Sequence, residues 1–208
     1  EMPRVRAILF DYDGTLLDSI HTIYAGLVNV FRQSGLEPPS FADFCGKFAS
    51  PYMDFYRRHG VDESEDQIVK WYYDVATHED QPFFHDVTEV IRYLSGRGIY
   101  LGIVSAHHKE KIEERCREIG IRHQMTTVVG QAHNKVHSIR NFCEVQGFDP
   151  GEVIFVGDFI SDVRDAKEAG VIAVGITRGR NTTEALFCSG ADHVIDDLWE
   201  LASLAMSS

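Results

Sequence analysis

The segment ILFDYDGTLLDS, residues 8–19, ends an apolar run on two acids one residue apart, Asp11 and Asp13, and turns at Gly14. Like charges at that spacing oppose each other's ionisation unless a cation, a proton or solvent offsets them. Further along, Asp158 follows the apolar run of EVIFVG, and Asp162 stands one helical turn later. Ser105 closes IYLGIVS, and Lys135 opens a helical stretch just after VVGQAHN. Asp11, Asp158 and Asp162 offer the hard oxygen ligands that Mg²⁺ takes. With a divalent ion screening a phosphate, Asp11 can attack phosphorus and form an aspartyl-phosphate, dividing one difficult displacement into two. Asp13 would protonate the leaving alcohol and later take a proton from the attacking water. Lys135 would hold Asp11 ionised and offset charge on the phosphoryl oxygens. Ser105 and the adjacent backbone N–H groups, that of Ala106 among them, would bind those oxygens. Gly14 lets the backbone approach the phosphate, and Thr15 ties the loop to itself.

Taken singly, Asp and Ser at strand ends are ordinary turn formers and caps. Their meaning depends on the elements that carry them. Residues 5–10 (VRAILF) read as a buried strand, and from Ser19 to about Asp80 the pattern is helical. In SIHTIYAGLVNVFRQSG, Ile20, Ile23, Tyr24, Leu27, Val28 and Phe31 recur at helical spacing, with Ser19 as N-cap and Gly35 at the end. Further helices are expected around FADFCGKF, PYMDFYRRHG and SEDQIVKWYYDVATHED. From residue 83 the texture alternates: helix DVTEVIRYLSGRG, strand IYLGIVS, helix KEKIEERCREIG, strand MTTVVG, and helix KVHSIRNFCEVQG capped by Asn134. Asp149, Pro150 and Glu152 then form a helix-start signal before a strand at 153–157. Helix DVRDAKEAG, strand VIAVGIT, a helix opened by Asn181 with Glu184 three residues later, and a last strand DHVI complete the chain. This alternation predicts an α/β fold, a parallel sheet with helices on both faces. Residues 1–16 and 81–208 would form that core, and 17–80 a helical insertion after the first strand. Ligands of such sheets bind beyond the carboxyl ends of the strands, where Asp11, Asp13, Ser105 and Asp158 fall.

With DYDGTLLDS, the serine of VSA, Lys135 and GDFISDV in this order, the chain resembles the haloacid dehalogenase superfamily in its phosphatase branch, most of all the phosphoglycolate-phosphatase-like hydrolases. The resemblance covers essentially the whole chain. It implies a Rossmann-like, doubly wound core with an all-helical cap inserted after the first motif, a Mg²⁺ cofactor, and the residue roles given above. It further implies that the backbone carbonyl of Asp13 joins Asp11, Asp158 and Asp162 at the metal, with Asp162 acting through a metal-bound water. An acid at Asp13 favours phosphoester chemistry over dehalogenation or phosphonate cleavage. The chain departs from the family pattern at Ala106, where many relatives have Asn, and at Val136, where Pro commonly follows the lysine. A sugar phosphomutase would use the same acids, but the histidine such enzymes carry on the first cap helix is matched by Ile23, with His21 only nearby. A non-catalytic phosphate-binding regulatory protein would not need the full set of acids.

The inserted helices should select the substrate by closing over the crevice. Lys47 in CGKFASP is a candidate substrate contact, as are Arg57, Arg58 and His59, although lysine and arginine on helices mostly face solvent. Trp71, Tyr72 and Tyr73 read as packing of the helical insertion. His107, His108, His133 and His137 raise a competing zinc reading, His133 and His137 being four apart, but a carboxylate-rich edge suits a harder ion. Contact of His107 or His108 with substrate is the simpler expectation. With 208 residues, 44% of them apolar, the chain can fill a real core. A formal net charge of −12 argues against nucleic acid or an anionic membrane surface as partner, so a small phosphorylated metabolite must be drawn in by local cations. Cys45, Cys116, Cys143 and Cys188 show no C-x-x-C spacing, and reduced thiols and a cytoplasmic location are expected. No apolar run approaches the ~20 residues that span a bilayer, and EMPRVR carries no signal-peptide hydrophobic segment. Oligomeric state is left open.

Overall fold

The computed structural model describes residues 4–48, 51–76, 81–132, 134–179 and 181–207. Two compact units are present, Glu1–Leu17 with Phe83–Ser208, and Asp18–Pro82. The first is built on six parallel strands, β1 (Ala7–Phe10), β2 (Tyr100–Val104), β3 (Met125–Val129), β4 (Val153–Gly157), β5 (Ile172–Ile176) and β6 (His193–Ile195), in the order β3-β2-β1-β4-β5-β6. This is the expected doubly wound α/β class. The apolar runs are strands because Val, Ile and Phe suit a sheet covered on both faces, and all of AILF in β1 is buried. Its side chains alternate between two cores. Ile8 and Phe10 join Val90, Ile91, Leu94, Ile112 and Leu201, on α5 (Val87–Ser95), α6 (Lys109–Glu118) and α10 (Leu198–Met206). Ala7 and Leu9 join Ile139, Phe142, Val163, Ala166 and Leu186, on α7 (Lys135–Gln146), α8 (Ile160–Ala169) and α9 (Thr183–Cys188). Strand order reverses between β1 and β4, so the loops after these two strands diverge and leave a crevice there.

The second unit contains α1 (Ile20–Gln33), α2 (Phe41–Lys47), α3 (Tyr52–Arg58) and α4 (Glu65–Tyr73). Its core holds Ile20, Ile23, Leu27, Val30 and Phe31 from α1, with Phe44, Phe55, Tyr56 and Ile68. Gly26 lets α4 come close, since a Cβ there would collide with the Tyr72 ring. Within the first unit Leu17 bridges Phe83 in antiparallel fashion, and Phe84 N–H donates to Leu16 C=O at 2.9 Å. Within the second, Asp18 N–H donates to Pro82 C=O at 2.9 Å. The chain thus leaves and re-enters the sheet unit along adjacent backbone.

Three local expectations are corrected. The chain does not finish on the strand at DHVI, because α10 follows it, opened by Asp197, whose carboxylate accepts from Glu200 N–H at 2.9 Å. Thr182 rather than Asn181 caps α9, accepting from Ala185 N–H at 3.2 Å. The Asn181 side-chain oxygen instead accepts from Ile160 N–H at 3.0 Å and secures the start of α8. Ser19 does stand before α1, but its side chain makes no capping bond to that helix. Asn134 does cap α7, accepting from His137 N–H at 3.1 Å. His133 lies outside the described residues.

Candidate active site

Asp11 follows β1 and is held by its neighbour strand, its N–H donating to Val156 C=O at 2.9 Å. Asp158 follows β4 directly. The next turn opens α8, where the Asp162 carboxylate accepts from Phe159 N–H at 3.1 Å. Helix and strand ends therefore bring the carboxylates of Asp11, Asp158 and Asp162 together, with one oxygen of each within 4.8 Å of the others, and all three are buried. Lys135, the first residue of α7, reaches into this group and donates to Asp11 Oδ1 at 2.7 Å and to Asp162 Oδ1 at 2.6 Å.

Burial works against the Lys135 ammonium, but the adjacent Asp11 and Asp162 outweigh it and push the lysine pKa up, so it stays charged. The Asp11 carboxyl is shifted upward, chiefly by burial, with Asp158 and Asp13 adding to the shift and Lys135 opposing it. Three carboxylates against one ammonium leave a surplus of two negative charges when all are ionised, which a divalent cation would cancel. The donor set, all carboxylate oxygen, fits Mg²⁺ better than a soft ion. Backbone packing fits as well. Gly14 (φ +78°) and Gly179 both lie against the Asp158 carboxylate, where a Cβ on either would overlap it, and Gly157 stands in the same relation to Asp162. Among the described residues this carboxylate trio is the one cluster of potential metal ligands, and no set of histidines joins it.

The remaining predicted residues fall in different places. Tyr12 C=O accepts from Leu16 and Leu17 N–H, both at 2.9 Å, closing the turn around Gly14 and setting Asp13 on it. The Thr15 hydroxyl is buried and has no hydrogen-bond partner among the described residues, so it does not tie the loop as expected. Ser105 directly follows β2 and is buried; its N–H donates to Val129 C=O at 2.9 Å and its Oγ accepts from His107 N–H at 3.1 Å. Ala106 sits in that turn, exposed. His107 Nδ1 lies 3.4 Å from Asp13 Oδ2. His108 precedes α6, and His137 is exposed on α7.

In the helical unit, Lys47 is 64% exposed and pairs with Asp43 on the same helix at 2.5 Å. Arg57 donates to Val61 and Glu63 carbonyls at 2.6 Å each, Arg58 to Asp54 C=O at 3.1 Å, and the His59 ring lies tilted against Phe55, centroids 4.2 Å apart. These three hold the end of α3 together. Trp71 and Tyr72 pack on the unit's core, as expected, and Tyr73 is exposed. Sequence reading missed Gly179, whose signal was a glycine just beyond a strand end in TRGRN.

A family model described as haloacid dehalogenase-like hydrolase matches residues 8–176. The chain belongs to this family. Members similar to it along nearly their whole length include a phosphoglycolate phosphatase of Synechococcus elongatus, 26% identical, covering 92% of this chain and 93% of the relative. A pyrophosphatase of Oceanobacillus iheyensis is 25% identical, covering 98% of each. Among solved structures, a haloacid dehalogenase-like hydrolase from Streptococcus pneumoniae superposes with a TM-score of 0.81 at 23% identity, over 96% of this chain and 98% of that one, and shares the fold.

Proposed function

We propose that this hydrolase is a Mg²⁺-dependent phosphatase, hydrolysing a small phosphomonoester through an aspartyl-phosphate on Asp11. The observation that carries the reading is the buried Asp11 carboxylate at the switch point of the sheet, bonded by Lys135 at 2.7 Å and grouped with Asp158 and Asp162. Asp11, Asp158 and Asp162, with the Asp13 backbone carbonyl that the family resemblance adds, would hold Mg²⁺, which when bound screens charge on the phosphate oxygens. Asp11 supplies the attacking oxygen: a bond forms from its carboxylate to phosphorus as the ester oxygen departs. Asp13 gives that oxygen a proton and later takes one from the water that cleaves the acyl phosphate. Lys135 keeps Asp11 anionic and pairs with phosphoryl oxygens, and Ser105 with the neighbouring N–H groups binds the rest of the phosphate. The helical unit acts as the cap that selects the substrate, and Lys47 is one of its candidate contacts.

Relatives at nearly equal identity are named for phosphoglycolate and for pyrophosphate, so a panel should contain both, with sugar phosphates and nucleotides. Inorganic phosphate release is expected to require Mg²⁺ and to favour one class. Asp11→Asn should reduce turnover at least about 10³-fold with its thermal midpoint kept, as loss of a nucleophile does. Turnover retained in a clean Asp11→Asn preparation overturns the assignment of the nucleophile. Phosphate release from no ester at all overturns the hydrolase reading in favour of a mutase or a binding protein.

A further inference from the structure

The turn after β2 carries a side chain that the mechanism above does not use. His107 is held at two backbone points. Its N–H donates to Ser105 Oγ at 3.1 Å, and its C=O accepts from Gln131 N–H at 2.8 Å. Ser105 C=O accepts from Ala132 N–H at 2.9 Å, which locks the turn after β2 to the turn after β3. Gln131 adopts φ +53°, a left-handed conformation, to make this join. Gly130 permits the same approach, because a Cβ there would strike the Lys109 backbone and the His107 carbonyl. The imidazole then lies against Tyr12, ring centroids 5.6 Å apart, with Nδ1 3.4 Å from Asp13 Oδ2. Both side chains are largely withdrawn from water, 12% exposed for His107 and 19% for Asp13. Two loops and a fully packed tyrosine are thus organised around one imidazole–carboxyl contact.

We infer that His107 is a positioning residue for Asp13, orienting through Nδ1 the carboxyl group that hands the proton to the leaving oxygen. The inference rests on the proposed role of Asp13 and adds a residue to it. Orientation matters for proton transfer because a general acid is effective only within hydrogen-bond reach of the atom it protonates. It matters little when the leaving oxygen is stable without a proton.

That difference gives the test. His107→Phe keeps a ring against Tyr12 and removes Nδ1, His107→Ala removes the ring as well, and His107→Asn restores a polar nitrogen near the position of Nδ1. Steady-state kinetics with Mg²⁺ would compare p-nitrophenyl phosphate, which has a good leaving group, with alkyl phosphates, which need protonation. In His107→Phe and His107→Ala, kcat on alkyl esters should fall by about tenfold or more, and on the aryl ester by no more than about twofold. His107→Asn should recover most of the loss on alkyl esters, with thermal midpoints unchanged. Equal losses on the two ester types, or none, would overturn this inference and leave the hydrolase reading standing. A wild-type chain inactive toward every ester would overturn both, and Asp11→Asn run alongside tells those cases apart.

Discussion

Lys135 divides its ammonium between Asp11 and Asp162, at 2.7 and 2.6 Å, in a cluster where both carboxylates are buried and the lysine is largely so. Lys135→Met keeps the length and removes the charge, leaving the acids to repel one another. Turnover should fall by about 10² or more, the size of effect seen when a preorganised charge is removed from a reacting centre. Phosphate release measured beside a thermal melt checks this, and an active, folded Lys135→Met would argue against the role. Gly179 is a second residue-scale case. Because a Cβ there would occupy the space of the Asp158 carboxylate, Gly179→Ala should weaken Mg²⁺ or Mn²⁺ binding by about tenfold or more in calorimetric titration, given the sensitivity of metal sites to the groups behind their ligands. Asp11, Asp13 and Asp158 were legible in the sequence because they stand where apolar runs stop, and Asp162 and Lys135 because they stand at the starts of the helices that follow. Gly179 and the His107–Asp13 contact were not, since a missing side chain leaves no chemical signal and the contact joins loops distant in sequence.

At the scale of elements, the join between α5, the loop after β5 and α10 depends on one buried ion pair. Asp86, just before α5, accepts from Arg178 Nη1 at 2.8 Å, from Arg178 Nη2 at 2.5 Å and from Leu198 N–H at 2.8 Å. The Arg178 guanidinium also covers the Phe84 ring at 4.5 Å. Burial disfavours the Asp86 charge, yet the bonds from Arg178 and Leu198 prevail and hold its carboxyl below the ordinary range. Asp86→Ala should cost about 3–5 kcal/mol at neutral pH, because the guanidinium is left buried without its partner. The sign with pH follows. A carboxyl whose pKa is lower folded than unfolded stabilises above the unfolded value of about 4, and that stability is lost as pH falls through the folded one. The gap between wild type and Asp86→Ala in denaturant titrations should therefore be full at pH 7 and shrink below about pH 4; a gap independent of pH would remove Asp86 from this role. The helix α10 that this pair anchors escaped the sequence reading although Asp197 and Glu200 mark its start, because the short β6 before it offered a plausible end. Asn181 misled for a related reason. Its type fits a cap, and only the fold shows that the donor it meets is Ile160 N–H at the head of α8. Strands buried on both faces and long amphipathic helices were legible because burial writes periodicity into sequence; capping choices and cross-loop bonds depend on tertiary neighbours.

For the molecule as a whole, a formal charge of −12 confronts an anionic substrate with a repulsive field that the site must overcome locally. Screening acts mainly on the distant, exposed charges, since the Debye length is about 10 Å at 0.1 M salt. Raising NaCl from about 20 to about 200 mM at constant Mg²⁺ should therefore increase kcat/KM for a phosphomonoester by about twofold. A fall instead would mean that the local cations, not the net charge, govern the encounter.

The adjacent backbone at Leu17–Phe83 and Asp18–Pro82 has a consequence for the order of folding. Strand β1 must find β2 and β4 across a long stretch of chain, and such distant pairings are what slow a parallel sheet. Once the helical unit is formed, with its two ends a single hydrogen bond apart, that stretch becomes the kinetic equivalent of a tight loop. The inserted segment then adds length to the chain without adding to the search that the sheet has to make.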